Sequence, residues 1–67
     1  MNQIMRYFSS KHLPAHLRLV AMPIEELARA VDRELPDGAE KSAGLRKLLE
    51  AKDCFVRASL PLEVDDK

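Results

Sequence analysis

The residue types that build cross-linked, metal-bound or membrane-spanning proteins are scarce in this 67-residue sequence. Its single cysteine, Cys54, excludes an internal disulfide framework and an all-cysteine zinc site. Two histidines, His12 and His16, are too few for a zinc site, and no metal or other cofactor is expected. No apolar run approaches the roughly 20 residues of a membrane span, and no apolar block near the start has signal-peptide length. We therefore expect a cytoplasmic protein that does not associate with membranes.

Signals for β-structure are equally scarce, and helical spacing dominates. Glycine occurs only at positions 38 and 44, and sustained alternation of apolar and polar residues is absent. Pro23 lies within a helical apolar pattern, so we expect a short helix near 14–21, a break or kink, and a helix over about 23–35. The apolar positions recur at three- and four-residue steps, at Leu17, Val20, Ile24, Leu27, Val31 and Leu35.

A further long helix is predicted after the turn signal Pro36-Asp37-Gly38. Asp37 is its expected N-cap, because Glu40 follows three residues later as in a capping box. The helix should run to about Leu60, where Pro61 stops it. The sequence thus predicts an all-α fold, a short N-terminal helix plus an antiparallel two-helix hairpin. Its predicted parts are an N-terminal arm over 1–11, a helical hairpin domain over 12–60 and a polar tail over 61–67.

The last helix carries more apolar surface than one neighbouring helix can cover. One stripe consists of Gly44, Leu48, Ala51, Phe55 and Ala58, and a second stripe beside it consists of Leu45, Leu49 and Val56. One stripe is expected to pack on the preceding helix and the other on a second copy of the chain, with small side chains every seven residues allowing close approach. A chain this short also needs such support for its small core. We therefore expect a homo-oligomer.

Charge is balanced overall but unevenly distributed. Eleven basic residues match eleven acidic ones, which is too neutral for a general nucleic-acid binder, and no DNA partner is expected. The first 24 residues nevertheless carry three bases and no acid. Tyr7 and Phe8 lie there beside Arg6 and Lys11, and rings interleaved with cations can stack bases and hold phosphates. An apolar anchor that docks on a neighbouring protomer explains the same residues, so both interpretations stay open.

Two lysines, Lys41 and Lys52, lie between the apolar stripes of the last helix. Their ammonium groups either extend along the apolar surface into water or reach an anion held between protomers. An ammonium buried there without a counter-charge would be costly.

A familiar pattern runs through about residues 6–58. Its most specific part is the run Leu45-Arg46-Lys47-Leu48-Leu49-Glu50-Ala51-Lys52-Asp53, which closes with Val56-Arg57-Ala58. Upstream of it lie Phe8, His12-Leu13-Pro14, Leu17, Val20, Pro23, Leu27-Ala28, Leu35-Pro36 and Glu40-Lys41. The sequence resembles the helical-hairpin domain shared by phage anti-CBASS and anti-Thoeris sponge proteins.

This resemblance implies a protein that sequesters cyclic nucleotide second messengers made by an infected bacterium and does not cleave them. In the anti-CBASS branch the protomers form a hexamer, with cyclic dinucleotides between protomers and cyclic trinucleotides at separate sites. The expected partners are therefore a cyclic di- or trinucleotide and further copies of the chain, as a dimer or hexamer. The expected location is the cytoplasm of the infected host cell.

The candidate ligand-binding residues follow from what a cyclic oligonucleotide requires, namely cations for its phosphates and flat or aliphatic surfaces for its bases. Tyr7 could stack a base with His12 beside it, and Lys41 could meet a phosphate together with backbone N–H groups near its helix start. An arginine could clamp a phosphate bidentately. The full set is Tyr7, Phe8, His12, Pro14, Arg18, Lys41, Arg46 and Arg57.

Two other functions remain open at the level of sequence. A protein-binding adaptor would use the second apolar stripe to grip a different protein and would have no small ligand. A small DNA-binding regulator would use its two helices and basic arm, although the acids at 32, 34, 37 and 50 argue against it. No catalytic constellation stands out, so an enzyme is not expected.

Overall fold

The structure, a computed structural model, describes residues 2–60, and within that range it is all-helical. A 3₁₀ helix spans Gln3–Phe8 and is followed by two α-helices, α1 (Ala15–Glu34) and α2 (Ala39–Ala58). Four residues join the two long helices, which pack against each other and against the 3₁₀ helix. So short a connection makes the two helices an antiparallel hairpin. The predicted polar tail over 61–67 lies outside the described residues.

Helix α1 is continuous through Pro23, so a single helix replaces the two predicted over 14–21 and 23–35; of the predicted break or kink, the break is wrong. A proline inside a helix removes one backbone hydrogen bond, here to the carbonyl of Leu19. Both Pro23 and Leu19 are exposed, so water can bond the carbonyl that lost its partner. The missing hydrogen bond therefore lies on the solvent side of the helix, and the buried face of the helix stays intact.

The buried face of α1 is rotated from the one that the leucine spacing predicts. Leu17, Ala21 and Ala28 are buried, whereas Leu27 and Leu35 are about half exposed. Ala21 and Ala28 form a seam of small, fully buried side chains, and Ala28 packs against Met5 and Phe8 of the 3₁₀ helix and Leu45 of α2. Two partly buried side chains, Ile24 and Val31, extend the core beside this seam.

Helix α2 turns the stripe of Leu45 and Leu49 inward. Leu45 is fully buried and Leu49 packs against the core, while Phe55 of the other stripe is 53% exposed. This agrees with the prediction that one stripe packs on the preceding helix. Lys41 and Lys52 are also buried, one turn before Leu45 and two turns after it. This burial argues against the alternative in which both ammonium groups extend into water, whereas the other alternative, an anion held between protomers, stays a prediction.

The start of α2 lacks the predicted side-chain cap. Its N-cap is Gly38, with no side-chain hydrogen bond, and Asp37 instead accepts a hydrogen bond from the ammonium of Lys41. At its other end α2 stops at Ala58, two residues before the predicted end. The connection between the helices is therefore closed by a charged side chain rather than by a capping box.

The residues predicted as an N-terminal arm form part of the core. Met5 and Phe8 of the 3₁₀ helix are buried together with Ala28 of α1 and Leu45 of α2. Asn2 begins the 3₁₀ helix, because its side chain accepts a hydrogen bond from the backbone N–H of Ile4. The 3₁₀ helix thus adds a layer to the hairpin and supplies its largest buried side chain.

Four hydrogen bonds attach this layer to one side of the hairpin. The backbone N–H of Asn2 donates to Asp32 and its side-chain amide donates to Ser42. The backbone N–H and hydroxyl of Ser10 both donate to Glu25. The 3₁₀ helix therefore lies on the side of the hairpin that carries Glu25, Asp32 and Ser42.

The opposite side of the hairpin is apolar and, within the described part of the chain, partly exposed. At about 100° per residue, Leu27 lies across the buried seam of α1 from Glu25, and Phe55 lies across that of α2 from Ser42. Leu27 and Phe55 are each 53% exposed. We call this surface the open face. Its exposed residues are Leu27, Gly44 and Phe55, and its partly buried residues are Val20, Val31, Leu48 and Ala51, of which Val31 and Leu48 also pack against the core.

Candidate ligand-binding surface

The ammonium of Lys41 is enclosed by acceptors from the end of α1 and the connection that follows it. It donates to the backbone carbonyls of Asp32 at 2.8 Å and Leu35 at 3.0 Å. It also lies 3.1 Å from the carboxylate of Asp32 and 2.9 Å from that of Asp37. Carbonyls of the last helical turn have no partner within the helix, so Lys41 satisfies them from the neighbouring helix.

The ionisation of this cluster follows from its contacts. The hydrogen bond from Lys41 holds the pKa of Asp32 below its usual value, and the backbone N–H of Asn2 adds to the effect. The same donor lowers the pKa of Asp37. In turn the hydrogen bond to Asp37 raises the pKa of Lys41, with Asp32 acting in the same direction. Each charge therefore stabilises the others in the folded state.

Lys41 is consequently not a free phosphate ligand, and its selection as one was wrong. All three of its N–H donors are occupied by the connection that it closes. Phe8 is also removed from the candidate set, because its side chain has no exposed surface and forms the centre of the core. Neither group can reach a ligand in this structure.

Lys52 is the other buried lysine, and its surroundings are different. Its ammonium donates one hydrogen bond, 2.7 Å long, to the backbone carbonyl of Tyr7. No carboxylate of residues 2–60 forms an ion pair with it, in contrast to Lys41. An ammonium has three donors, so two of them have no protein acceptor within the described part of the chain.

A groove of about 190 Å³ opens beside Lys52. Leu13 and Val56 form its aliphatic walls, and the remaining lining residues are His12, Asp53 and Arg57. Arg57 has no carboxylate partner among the described residues; its guanidinium contacts the exposed thiol of Cys54 at 3.5 Å. The structure thus brings together two of the predicted ligand residues, His12 and Arg57, around a lysine that the predicted set omits.

Tyr7 projects from the outer side of the 3₁₀ helix. Its ring is 55% exposed, and the guanidinium of Arg6 lies over it at 5.1 Å from the ring centre. The same arginine donates to the Tyr7 hydroxyl at 3.3 Å. The ring contributes little to the core, and its position beside a cation suits the stacking of a flat group.

A second groove, of about 360 Å³, lies where the 3₁₀ helix meets α1. Arg6 and Arg29 line it, together with Asn2, Gln3, Met5 and Ser9. Arg29 is bound to Glu25 at 2.6 Å. Partial burial acts to raise the pKa of Glu25, but hydrogen bonds from Arg29 and Ser10 outweigh it and hold the pKa below its usual value. This carboxylate stays ionised and holds Arg29 at the edge of the groove.

The three remaining predicted residues lie apart from these grooves. Pro14 is exposed and precedes the first turn of α1, where its fixed φ suits a helix start. Arg18 donates to the backbone carbonyl of Leu13 at 3.0 Å and so fixes the turn that carries His12. Arg46 is exposed on α2. Arg18 therefore contacts the groove beside Lys52 only indirectly, through the backbone of its lining residue Leu13.

Sequence reasoning weighed Lys52 but did not select it, and it passed over Arg29. The available signal was the position of Lys52 between two apolar stripes, which favoured burial. Its acceptor lies 45 residues away in sequence, so only the fold could separate it from Lys41.

Among residues 2–60 no group of three metal-ligating side chains comes together, and no helix is long and apolar enough to cross a membrane. Comparison of the chain with family models, with curated proteins and with solved structures gives no match.

Proposed function

We propose that this protein is a non-catalytic binding protein that sequesters cyclic di- or trinucleotides. It would act as a homo-oligomer in the cytoplasm of an infected bacterium, and it would block antiphage signalling by lowering the free concentration of the messenger. The proposal starts from the resemblance of the Leu45–Ala58 run to the sponge proteins.

The observation that carries the proposal is the chemistry exposed around the 3₁₀ helix. The half-exposed ring of Tyr7 under the Arg6 guanidinium can stack on a base. The groove beside Lys52 offers cations to a phosphate. Neither feature is needed to bury the core, which Met5 and Phe8 complete. A ligand with flat bases and anionic linkages matches both features at once.

The open face supports self-association. A surface with Leu27 and Phe55 both half exposed loses apolar area from water when a second copy covers it. Gly44 lies on this face, and no atom comes within 4 Å of the Cβ that another residue would have there. A neighbouring helix can therefore approach closely at that point. The opposite, charged side of each protomer would remain available for ligand.

Isothermal titration against a panel of cyclic di- and trinucleotides, with linear dinucleotides as controls, tests the proposal. We expect heat from at least one cyclic ligand, recovered unmodified afterwards. Tyr7→Ala should weaken that binding about tenfold or more, because base stacking on an aromatic ring contributes about 1–3 kcal/mol. Leu19→Ala removes an apolar side chain of α1 that is more exposed than Tyr7, 78% against 55%; it is the control and should bind as the parent does. If no cyclic nucleotide of the panel gives measurable heat of binding, the proposal is overturned.

A protein-binding adaptor is the second candidate, and the open face favours it as well. The same apolar surface could receive an amphipathic helix from another protein. Self-association separates the two: a chain that stays monomeric at micromolar concentration and binds no cyclic nucleotide supports the adaptor.

A further inference from the structure

The buried end of Lys52 carries an unbalanced charge. Its residue exposure is 6%, and its ammonium donates to one neutral acceptor, the carbonyl of Tyr7. Burying an ammonium is costly unless its donors and its charge are matched. Lys41, equally buried, meets this requirement with two carbonyls and two carboxylates. Lys52 does not meet this requirement, because among residues 2–60 it has no carboxylate partner and no second carbonyl partner.

The two remaining donors belong to a side chain that lines the groove of about 190 Å³. The groove has two aliphatic walls, Leu13 and Val56, and two further groups that can donate to an anion, His12 and Arg57. Arg57 has no competing carboxylate partner in the described part of the chain. The cations therefore converge on one concave space instead of spreading over the surface.

From this we infer that the groove is a phosphate subsite in which Lys52 and Arg57 bind one phosphodiester group of the ligand. Lys52 would donate from the floor of the groove and Arg57 from its rim, and His12 would add a donor at the other side. The subsite rests on the proposed function, because it assigns one phosphate of the cyclic nucleotide to a place within a single protomer. A singly charged phosphodiester supplies the counter-charge and the acceptors that Lys52 lacks.

Asp53 is the one acid that lines the groove, so removal of its charge should change the affinity for phosphate in a defined direction. Its carboxylate forms no ion pair among the described residues, so it repels an anion in the groove without holding either cation in place. Asp53→Asn keeps the shape of the side chain and removes the charge. A phosphodiester should then bind a few-fold more tightly. If the groove had only a structural role, this substitution would leave phosphate binding unchanged.

Dimethyl phosphate, a singly charged diester without bases, is the direct probe. The ¹H–¹⁵N spectrum of the full chain is recorded during titration at constant ionic strength, with uncharged trimethyl phosphate as the control ligand. We expect saturable shifts at the amides of Leu13, Lys52 and Arg57 with the diester only. Lys52→Met should weaken this binding by roughly ten- to a hundredfold, the range for a hydrogen bond to a charged group. Lys47→Met, an exposed lysine of the same helix, should leave it unchanged.

The outcomes separate the subsite from the proposed function. Diester shifts that are absent, spread over the surface, or equal in the parent and Lys52→Met overturn the subsite. If Lys52→Met does not fold, unchanged or weaker binding in Asp53→Asn overturns it instead. Cyclic nucleotide binding that Lys52→Met leaves intact overturns the subsite and keeps the function. Localised diester binding without affinity for any cyclic nucleotide keeps the subsite as a phosphate site and ends the proposed function.

Discussion

The buried ammonium of Lys52 donates a 2.7 Å hydrogen bond to the backbone carbonyl of Tyr7, 45 residues earlier in the chain. This contact ties the 3₁₀ helix to α2, and the same lysine lines the groove with His12 and Arg57. One lysine thus connects the packing of the N-terminal residues to the surface on which we propose that ligand binds.

Lys52→Met should loosen the 3₁₀ helix without unfolding the hairpin. The carbonyl of Tyr7 loses its partner, so we expect the free energy of unfolding to fall by about 1–2 kcal/mol. Hydrogen exchange should accelerate at the amides around Tyr7, while those in the middle of α1 keep most of their protection. Uniform acceleration across both helices, or none near Tyr7, would contradict this role.

The cluster around Lys41 predicts a defined dependence of stability on pH. The pKa values of Asp32 and Asp37 are lowered in the fold, so their contribution is present above the unfolded value of 3.8 and disappears as pH falls through the folded pKa values below it. The pKa of Lys41 is raised, so its contribution is complete below 10.5 and disappears as pH rises through the folded value above it.

Stability measured by urea unfolding should therefore change little from this cluster between about pH 5 and pH 9 and should fall below pH 4. Lys41→Met should reduce stability at neutral pH. It should also make the loss of stability below pH 4 less steep, because the two aspartates then lose their partner. Lys47→Met is the matched control and should keep the parent profile. If stability falls as steeply below pH 4 in Lys41→Met as in the parent, other carboxylates cause that fall.

Two phenylalanines with opposite exposure test the assignment of the core. Phe8 has no exposed surface, so Phe8→Ala should cost about 3–5 kcal/mol and leave so small a domain largely unfolded. Phe55 is 53% exposed, and Phe55→Ala should keep the helical content of the parent by circular dichroism. Comparable loss of helix in the two variants would contradict the burial of the 3₁₀ helix.

Pro23 offers a stabilising substitution. It lies inside α1 on the exposed side, where its ring occupies no core position. Pro23→Ala restores a backbone hydrogen bond and should raise the free energy of unfolding by about 1–3 kcal/mol. Thermal unfolding checks this directly. A lower melting temperature would mean that Pro23 packs against a neighbouring protomer.

Gly44 tests the open face as an interface between copies. Gly44→Ala should raise the stability of the helix by up to about 1 kcal/mol, since no atom obstructs the new Cβ. Gly44→Gln should hold helix content but weaken self-association, because a long side chain keeps a neighbouring helix at a distance. Sedimentation velocity that finds parent and Gly44→Gln in the same oligomer would exclude close approach at this position.

The sequence predicted the turn between the two long helices and placed the end of α2 within two residues, because that evidence is local: the apolar spacing and the Pro36-Asp37-Gly38 turn signal. It did not predict the 3₁₀ helix, which lies in the residues assigned to an arm. The buried face of α1 was predicted wrongly, because it was assigned from the spacing of the large apolar residues, whereas the buried seam contains Ala21 and Ala28. The sequence also placed a break at Pro23, whose cost depends on which side of the helix faces water. That side is set by the packing of α2.

The binding surface was less predictable than the fold. Lys41 and Lys52 look equivalent in sequence, since both lie between apolar stripes of one helix. Their difference comes from their partners in the fold: Lys41 pairs with the carboxylate of Asp32, whereas among residues 2–60 Lys52 has only the carbonyl of Tyr7. Phe8 and Tyr7 are likewise adjacent, yet one ring is buried and the other is exposed, because the 3₁₀ helix turns them to different sides.

Native mass spectrometry of the chain mixed with a cyclic dinucleotide tests the central claim most directly. One spectrum reports the number of protomers, the number of ligands and the mass of each ligand. We predict an oligomer that carries intact cyclic nucleotide and releases it unmodified on denaturation. A monomer without ligand, at concentrations where the parent chain is folded, would contradict the account.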